Sequence, residues 1–240
     1  MNEKKQFVKK GYTKQEIWNA CTEAFVNKNT FYQKKFINYR GKTIDTKEYY
    51  TEVVAEFLCK HIEEYKNGID CISRKSPYRV EGHDGVYNAD SNREEEIIAM
   101  ELFNQSRNLR PFDYIGEIID YQTPLKSELA DKAGKMDLLS FDGEILRILE
   151  LKRFDSTETM LRCVLEGFTY LRIVDGEKLI KAWDYDVNKV ILTASPLVFY
   201  NGRQHQEMSQ SRPYLKKLMS LLDSKPYYIV NDTPYVVVAE

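Results

Sequence analysis

Hydrophobic residues recur along the chain with two spacings, which predict where helices and strands lie. In residues 13–65 the spacing is helical, and Thr13 with Glu16 marks a capping-box start. Residues 92–200 predict the order helix, three strands, helix, strand. An amphipathic helix and a pair of terminal strands are predicted after that. The pattern therefore favours an α/β protein.

A hairpin is predicted in the middle of this series. Asp142 and Gly143 are a strong two-residue turn signal, because both central positions of a type I′ turn need positive φ. The segments on either side are rich in Leu, Ile and Phe, as strands are. This turn would pair Phe141 with Glu144.

That register gathers charged side chains on one face of the hairpin. Asp137 lies opposite Ile148, and because side chains alternate, Asp137, Glu150 and Lys152 point the same way. Asp137 and Glu150 become diagonal neighbours, roughly 7–8 Å apart and within reach of one cation. The alternative is an amphipathic hairpin whose charges face water. Leu146 and Ile148 share the charged face, which weighs against that alternative.

The next predicted helix begins near Thr157, with Asp155 and Glu158 in a capping-box-like pattern. Its apolar residues recur at helical spacing: Met160, Leu161, Val164, Leu165, Phe168 and Leu171. A polar line runs beside this stripe: Arg162, Glu166 and Tyr170. A solvated helix face explains the polar line almost as well as a functional role does.

In this order, these residues resemble the PD-(D/E)xK nuclease superfamily. Its signature is an Asp on the second core strand, Glu-x-Lys on the third, and often Gln-x-x-x-Tyr on the next helix. The matching residues are Asp137, Glu150, Leu151, Lys152, Glu166 and Tyr170. Two positions depart from the signature, since Met136 stands in place of Pro and Glu166 in place of Gln.

The resemblance implies a restriction-endonuclease-like fold, with an αβββαβ core in which helices flank a mixed central sheet. We expect residues 86–240 to form this nuclease-like domain. Residues 1–85 are then an N-terminal helical region, either a subdomain or an extension. Residues 82–92, rich in Gly, Asp and Asn, are the best linker candidate.

The resemblance also implies a metal site. Asp137, Glu150 and the carbonyl of Leu151 would hold Mg²⁺, for which Mn²⁺ can substitute. The family's first helix often adds an inward Glu, for which Glu95 is the first choice and Glu96 the second. Acidic residues in a first helical turn are also explained by the helix dipole alone.

Lys152 would then orient or deprotonate the attacking water, or stabilise developing negative charge. Stabilisation is preferred, because a base role would require the pKa of this lysine to fall far below its usual value near 10.4. Glu166 and Tyr170 would support Lys152 or contact the phosphate backbone. The implied function is metal-dependent hydrolysis of phosphodiester bonds, with DNA the expected substrate. Whether cleavage is internal or from an end stays open.

Two other readings remain open. One is a protein of the same fold that binds nucleic acid or a protein partner without cutting. The other is a structural α/β domain whose hairpin charges are incidental. Retention of a costly carboxylate cluster together with Lys152 argues against loss of the site.

Composition limits the partners. A net charge of −2 and a pI near 6.1 provide no general attraction for nucleic acid, so binding would depend on local basic clusters and on a metal. Candidate clusters are Lys34, Lys35 and Arg40, and Arg74, Lys75 and Arg79, although ordinary solvated surface explains each of them better than a binding role does.

The expected setting is the cytoplasm. Four cysteines without CxxC spacing and three distant histidines predict no zinc site, and unpaired thiols suit a reducing compartment. No apolar run approaches the length of a membrane span, and the N-terminus lacks a signal-peptide core. A homodimer is compatible with such folds, but no feature of the sequence identifies an interface.

Overall fold

A six-stranded mixed sheet forms the centre of the protein. The computed structural model describes residues 11–72, 74–86, 93–125, 134–230 and 233–239. The strands lie side by side in chain order: Glu117–Pro124 (β1), Lys135–Phe141 (β2), Ile145–Lys152 (β3), Ile191–Phe199 (β4), Tyr227–Val230 (β5) and Val236–Ala239 (β6). β3, β4 and β5 are parallel, whereas the β1–β2, β2–β3 and β5–β6 pairs are antiparallel. The expected α/β class with a mixed sheet is confirmed.

Eight α-helices surround the sheet in the described part of the chain. They are Lys14–Ala24 (α1), Tyr50–Lys60 (α2), Ile62–Asn67 (α3), Glu94–Asn108 (α4), Met160–Ile173 (α5), Gly176–Lys181 (α6), Arg203–Met208 (α7) and Pro213–Leu221 (α8). Two short 3₁₀ helices, Lys28–Gln33 and Lys35–Asn38, lie between α1 and α2. None of the described helices is both long and apolar enough to cross a bilayer.

The sheet is covered on both faces, and β3 is its most buried strand. Leu149 and Leu151 of β3 pack on the face that carries α4. Leu146 and Ile148 pack on the opposite face, together with α5. Because successive side chains alternate between faces, Glu150 and Lys152 belong to the α5 face. Two charged side chains therefore sit at the end of an otherwise apolar row beneath a helix.

The β2–β3 hairpin differs from the predicted register by two residues. Phe141 pairs with Leu146 rather than with Glu144. Only Gly143 has positive φ in the turn, and the Oδ1 atom of Asp142 closes it by accepting the N–H groups of residues 144 and 145. The type I′ prediction was therefore wrong. A shift of two preserves the facing of every side chain, so the predicted face was right.

Helix α5 begins later than predicted. Its cap is Thr159, whose Oγ1 accepts the N–H of Arg162 at 3.2 Å and donates to the carbonyl of Ile37 at 2.9 Å. Asp155, the predicted cap, instead lies 2.9 Å from the guanidinium of Arg153. The capping box predicted for α1, by contrast, is present as expected.

The N-terminal helices pack with α5 and α8, on the side of the sheet that carries α5. Apolar residues of α1, α2 and the first 3₁₀ helix share one hydrophobic cluster with residues of α5 and α8. Residues 87–92 of the predicted linker lie outside the described residues. Residues 1–10, for which no signal peptide is predicted, lie outside them too. The division at residue 85 stays a prediction.

Glu52 of α2 connects this region to the C-terminal part of the chain. Its Oε2 accepts the N–H of Tyr214 at 2.9 Å, and its Oε1 accepts the N–H of Leu215 at 3.0 Å. Pro213, the first residue of α8, has no N–H to satisfy. A buried carboxylate from α2 thus takes the place of an N-cap side chain for α8.

We expect Glu52→Ala to lower the free energy of unfolding by about 2–3 kcal/mol, because it leaves two N–H groups of α8 without their acceptor. Chemical denaturation followed by circular dichroism measures this, and a single transition is expected. The matched control is Glu63→Ala, which removes an exposed carboxylate from α3 and should change stability by less than about 0.5 kcal/mol. Equal effects of the two substitutions would contradict the assigned role of Glu52.

Candidate active site

The ends of β2 and β3 bring the three predicted side chains together. Extending the observed β2–β3 register by one residue puts Asp137 directly opposite Glu150, closer than the predicted diagonal. The Oδ2 atom of Asp137 accepts the N–H of Leu151 at 3.0 Å. Lys152 Nζ lies 2.6 Å from Glu150 Oε1. The pairing of β2 with β3 and the alternation of side chains along β3 therefore bring two carboxylates and one lysine close together.

Lys152 is surrounded by carboxylates. Besides Glu150, its ammonium group lies 3.1 Å from Oε2 of Glu158 and 3.7 Å from Oε2 of Glu166. The lysine, Glu150 and Glu166 are all buried. The ammonium group donates a hydrogen bond to Glu150, and the carboxylates of Glu158 and Glu166 attract it from two further directions, which restricts the position of the side chain.

In the polar line predicted on α5, Glu166 and Tyr170 are buried and Arg162 is half-buried. Arg162 Nε lies 3.0 Å from Oε2 of Glu166, and the hydroxyl of Tyr170 donates to its Oε1 at 3.1 Å. The same arginine also donates to the carbonyl of Tyr32, in the first 3₁₀ helix. Glu166 is thus held from three directions, by Lys152, Arg162 and Tyr170.

Burial and mutual repulsion change the acidity of these groups. Burial, reinforced by the nearby charge of Glu95, raises the pKa of Asp137 to about 7, despite the opposing effect of Lys152. Burial and the neighbouring Glu166 likewise raise the pKa of Glu150 well above its ordinary value. Burial alone would lower the pKa of Lys152, but the carboxylates of Glu150 and Glu166 outweigh it and raise that pKa. The lysine is therefore held as a cation.

A cavity of about 400 Å³ opens beside Asp137 and contains the predicted residue of the first helix. Glu95 lines this cavity, and its Oε1 lies 3.5 Å from the N–H of Arg153. Glu96, the second choice, lines it too but is paired with Arg93 at 2.7 Å. The structure thus puts Glu95 near Asp137 without a hydrogen bond between the two.

The oxygen atoms of Asp137 and Glu150 fit a hard divalent cation. Oε2 of Glu150 is buried without a hydrogen-bond partner in the described part of the chain, and carboxylate oxygens are the donors that Mg²⁺ prefers. Within the described ranges, no group of three or more His, Cys, Asp or Glu side chains is already arranged to hold a metal ion. The fit therefore rests on donor type and on the unpartnered oxygen, not on a preformed cage.

Two neighbours of the site were missed in the sequence. The sequence pattern places Glu158 in a helix cap, whereas in the structure its carboxylate binds Lys152. Glu158 lies four residues before Arg162 and so extends the i, i+4 polar line, and that spacing is the signal that identifies it as part of the site. Gln122 lies on β1, opposite Asp137, and donates to its Oδ1 at 3.3 Å. Gln122 has φ of +49°, in a strand that contains a register shift, so no periodicity indicates its orientation.

Family models, curated proteins and solved structures were each compared with the chain, and none of them matches it.

Proposed function

We propose that the protein is a metal-dependent nuclease of the PD-(D/E)xK type, which hydrolyses phosphodiester bonds of DNA. The observation that carries this proposal is the meeting of Asp137, Glu150 and Lys152 at the ends of two paired strands. The restriction-endonuclease-like fold is part of the proposal. It is supported by the chain order of α4, three antiparallel strands, α5 and the parallel strand β4.

Asp137 and Glu150 would hold Mg²⁺ or Mn²⁺, with the carbonyl of Leu151 as a further ligand and Glu95 beside them. A bound divalent ion polarises a phosphodiester and lowers the pKa of a coordinated water. The Leu151 N–H fixes the orientation of Asp137, because its bond to Oδ2 leaves the carboxylate little freedom to rotate. β3 would therefore supply two proposed ligands, Glu150 and the carbonyl of Leu151, as well as the N–H group that orients Asp137.

Lys152 would act as a fixed positive charge that stabilises the negative charge developing on the phosphate during hydrolysis. Its carboxylate partners favour the ammonium form, which suits charge stabilisation and opposes a role as base. Glu158 and Glu166 would position this charge, and Tyr170 and Arg162 would in turn hold Glu166.

A second candidate is a protein of this fold that binds nucleic acid without cutting it. It is favoured by one contact, since Lys152 already lies 2.6 Å from a proposed ligand oxygen of Glu150. In this case the ion pair would replace the metal. A cytoplasmic setting belongs to both candidates and is supported by four free cysteines.

We expect Asp137→Asn and Glu150→Gln each to reduce Mg²⁺-dependent cleavage by roughly a thousandfold or more, since several kcal/mol of metal-derived stabilisation are lost. The assay incubates plasmid, linear and single-stranded DNA, and RNA, with Mg²⁺ or Mn²⁺, and with EDTA as background. The control Glu144→Gln removes an exposed carboxylate from the same hairpin and should cleave normally. Unchanged cleavage by either site variant, with its circular dichroism spectrum preserved, would remove the proposal.

Metal binding should depend on the same residues. In calorimetric titration with Mn²⁺ we expect one site in the parent protein, which Asp137→Asn and Glu150→Gln abolish. Glu95→Gln should weaken it by about ten- to a hundredfold, as substitutions around a metal site typically do. Glu144→Gln again serves as the control. If the parent binds DNA in EDTA and takes up no metal, the second candidate function replaces the first.

Lys152→Arg should leave metal binding intact but reduce kcat by about a hundredfold or more. Arginine keeps the charge, but its planar fork cannot take the place of a compact ammonium group among three carboxylates. Steady-state kinetics on the best DNA substrate, alongside Mn²⁺ titration, separates the two effects. Activity within tenfold of the parent would show that only the charge matters.

A further inference from the structure

A second cavity, of about 230 Å³, lies where the loops before α2 meet α7 and the start of α8. Its wall carries three arginines, Arg40, Arg203 and Arg212, from three separate segments of the chain. This volume is below the roughly 300–1,000 Å³ of pockets that enclose drug-sized ligands, so it suits a small anionic group rather than a whole base.

Arg212 is the buried member of the three. Its guanidinium lies over the ring of Tyr49, and Nη2 donates to Oε1 of Gln210 at 3.0 Å. Nε and Nη1 have no hydrogen-bond partner in the part of the chain that the structure describes. Buried guanidinium donors without an acceptor are costly, so Nε and Nη1 call for an anionic acceptor.

Glu207 is the carboxylate nearest to Arg212, and it satisfies this need poorly. Its Oε1 is 4.0 Å from Nε of Arg212, beyond hydrogen-bond distance. Both oxygens are already engaged, Oε1 by the hydroxyl of Thr51 at 3.2 Å and Oε2 by the N–H of Met160 at 2.9 Å. The carboxylate of Glu207 is therefore directed toward the start of α5 rather than toward Arg212.

Arg40 and Arg203 are exposed at the cavity, and neither takes part in an ion pair among the described residues. Arginine forks bind phosphate oxygens in pairs, and several forks around one small cavity can surround a single phosphate group. The two exposed side chains are free to close on such a group, whereas Arg212 is already fixed by Tyr49 and Gln210.

This cavity adjoins the candidate active site through Glu158. Glu158 is one of the residues that line the cavity, and its Oε2 lies 3.1 Å from Nζ of Lys152. We infer that the cavity binds a phosphate group of the nucleic-acid strand that is cut beside Lys152. That the phosphate comes from nucleic acid rests on the proposed function, whereas phosphate binding itself rests on the three arginines.

The test uses a double variant, Arg40→Gln with Arg203→Gln, because both side chains are exposed and neither supports the fold. Arg110→Gln with Arg172→Gln removes the same charge from exposed positions outside both cavities and is the matched control. Binding of labelled duplexes is measured by fluorescence anisotropy in EDTA, at several salt concentrations. The duplexes carry a 5′-phosphate, a 3′-phosphate or hydroxyl ends.

We expect the cavity variant to bind about tenfold or more weakly, with a salt dependence reduced by about one phosphate contact. The control should stay within about twofold of the parent in both measures. A loss confined to one phosphorylated end identifies a terminal phosphate, and a loss with every duplex identifies an internal one; both support the site. If the cavity variant and the control behave alike, the inference is overturned.

Inorganic phosphate provides a measurement that does not depend on nuclease activity. Phosphate should raise the Tm of the parent and of the control by a few degrees, relative to chloride at equal ionic strength, and leave the cavity variant unchanged. Phosphate stabilisation in a parent that cleaves no nucleic acid would refute the proposed function and keep the phosphate site. If the parent cleaves nucleic acid but phosphate does not raise its Tm, the phosphate site is refuted and the proposed function is kept.

Discussion

The buried ammonium group of Lys152 is the constraint on which the site depends. Transfer of an ion from water into a protein interior costs several kcal/mol, and this cost is offset only when partners and geometry are close to ideal. Glu150, Glu158 and Glu166 provide those partners at 2.6–3.7 Å. Each carboxylate is itself buried or half-buried, and the three share this one ammonium group, so loss of the Lys152 charge would leave them to repel one another without it. The charge of Lys152 is therefore what allows the three carboxylates to lie together.

The sheet provides the rigidity that such a cluster requires. β3 is hydrogen-bonded on both sides, antiparallel to β2 and parallel to β4, and both of its faces are covered. Alternation along this one strand separates apolar Leu149 and Leu151 from charged Glu150 and Lys152. A one-residue slip would exchange the two sets, bringing charges into the α4 cluster and leucines toward α5. The apolar side of β3 therefore keeps its charged side in position.

The sequence was sufficient to predict the α/β class, the order of α4, β1 to β3, α5 and β4, and the common face of Asp137, Glu150 and Lys152. Those features follow from the spacing of apolar residues along the chain. That spacing reflects which side chains of each helix and strand are buried. The hairpin register could not be predicted, because Asp142 closes the turn with its side chain and leaves only Gly143 at positive φ. The predicted face of Asp137, Glu150 and Lys152 was still right, because a register shift of two residues leaves every side chain on the same face. The role of Glu158 depended on where α5 begins, and helix boundaries are poorly marked when two capping patterns compete.

The contact between Arg162 and Tyr32 has a consequence for communication within the molecule. The arginine donates to the backbone carbonyl of Tyr32 and stacks over its ring, so the first 3₁₀ helix is joined to the Glu166–Lys152 network. Thermodynamic linkage is reciprocal: if displacement of this N-terminal segment changes affinity at Lys152, occupancy at Lys152 changes the affinity for the displacing ligand by the same factor. Arg162 thus makes the N-terminal segment part of the structure that positions Glu166 and Lys152.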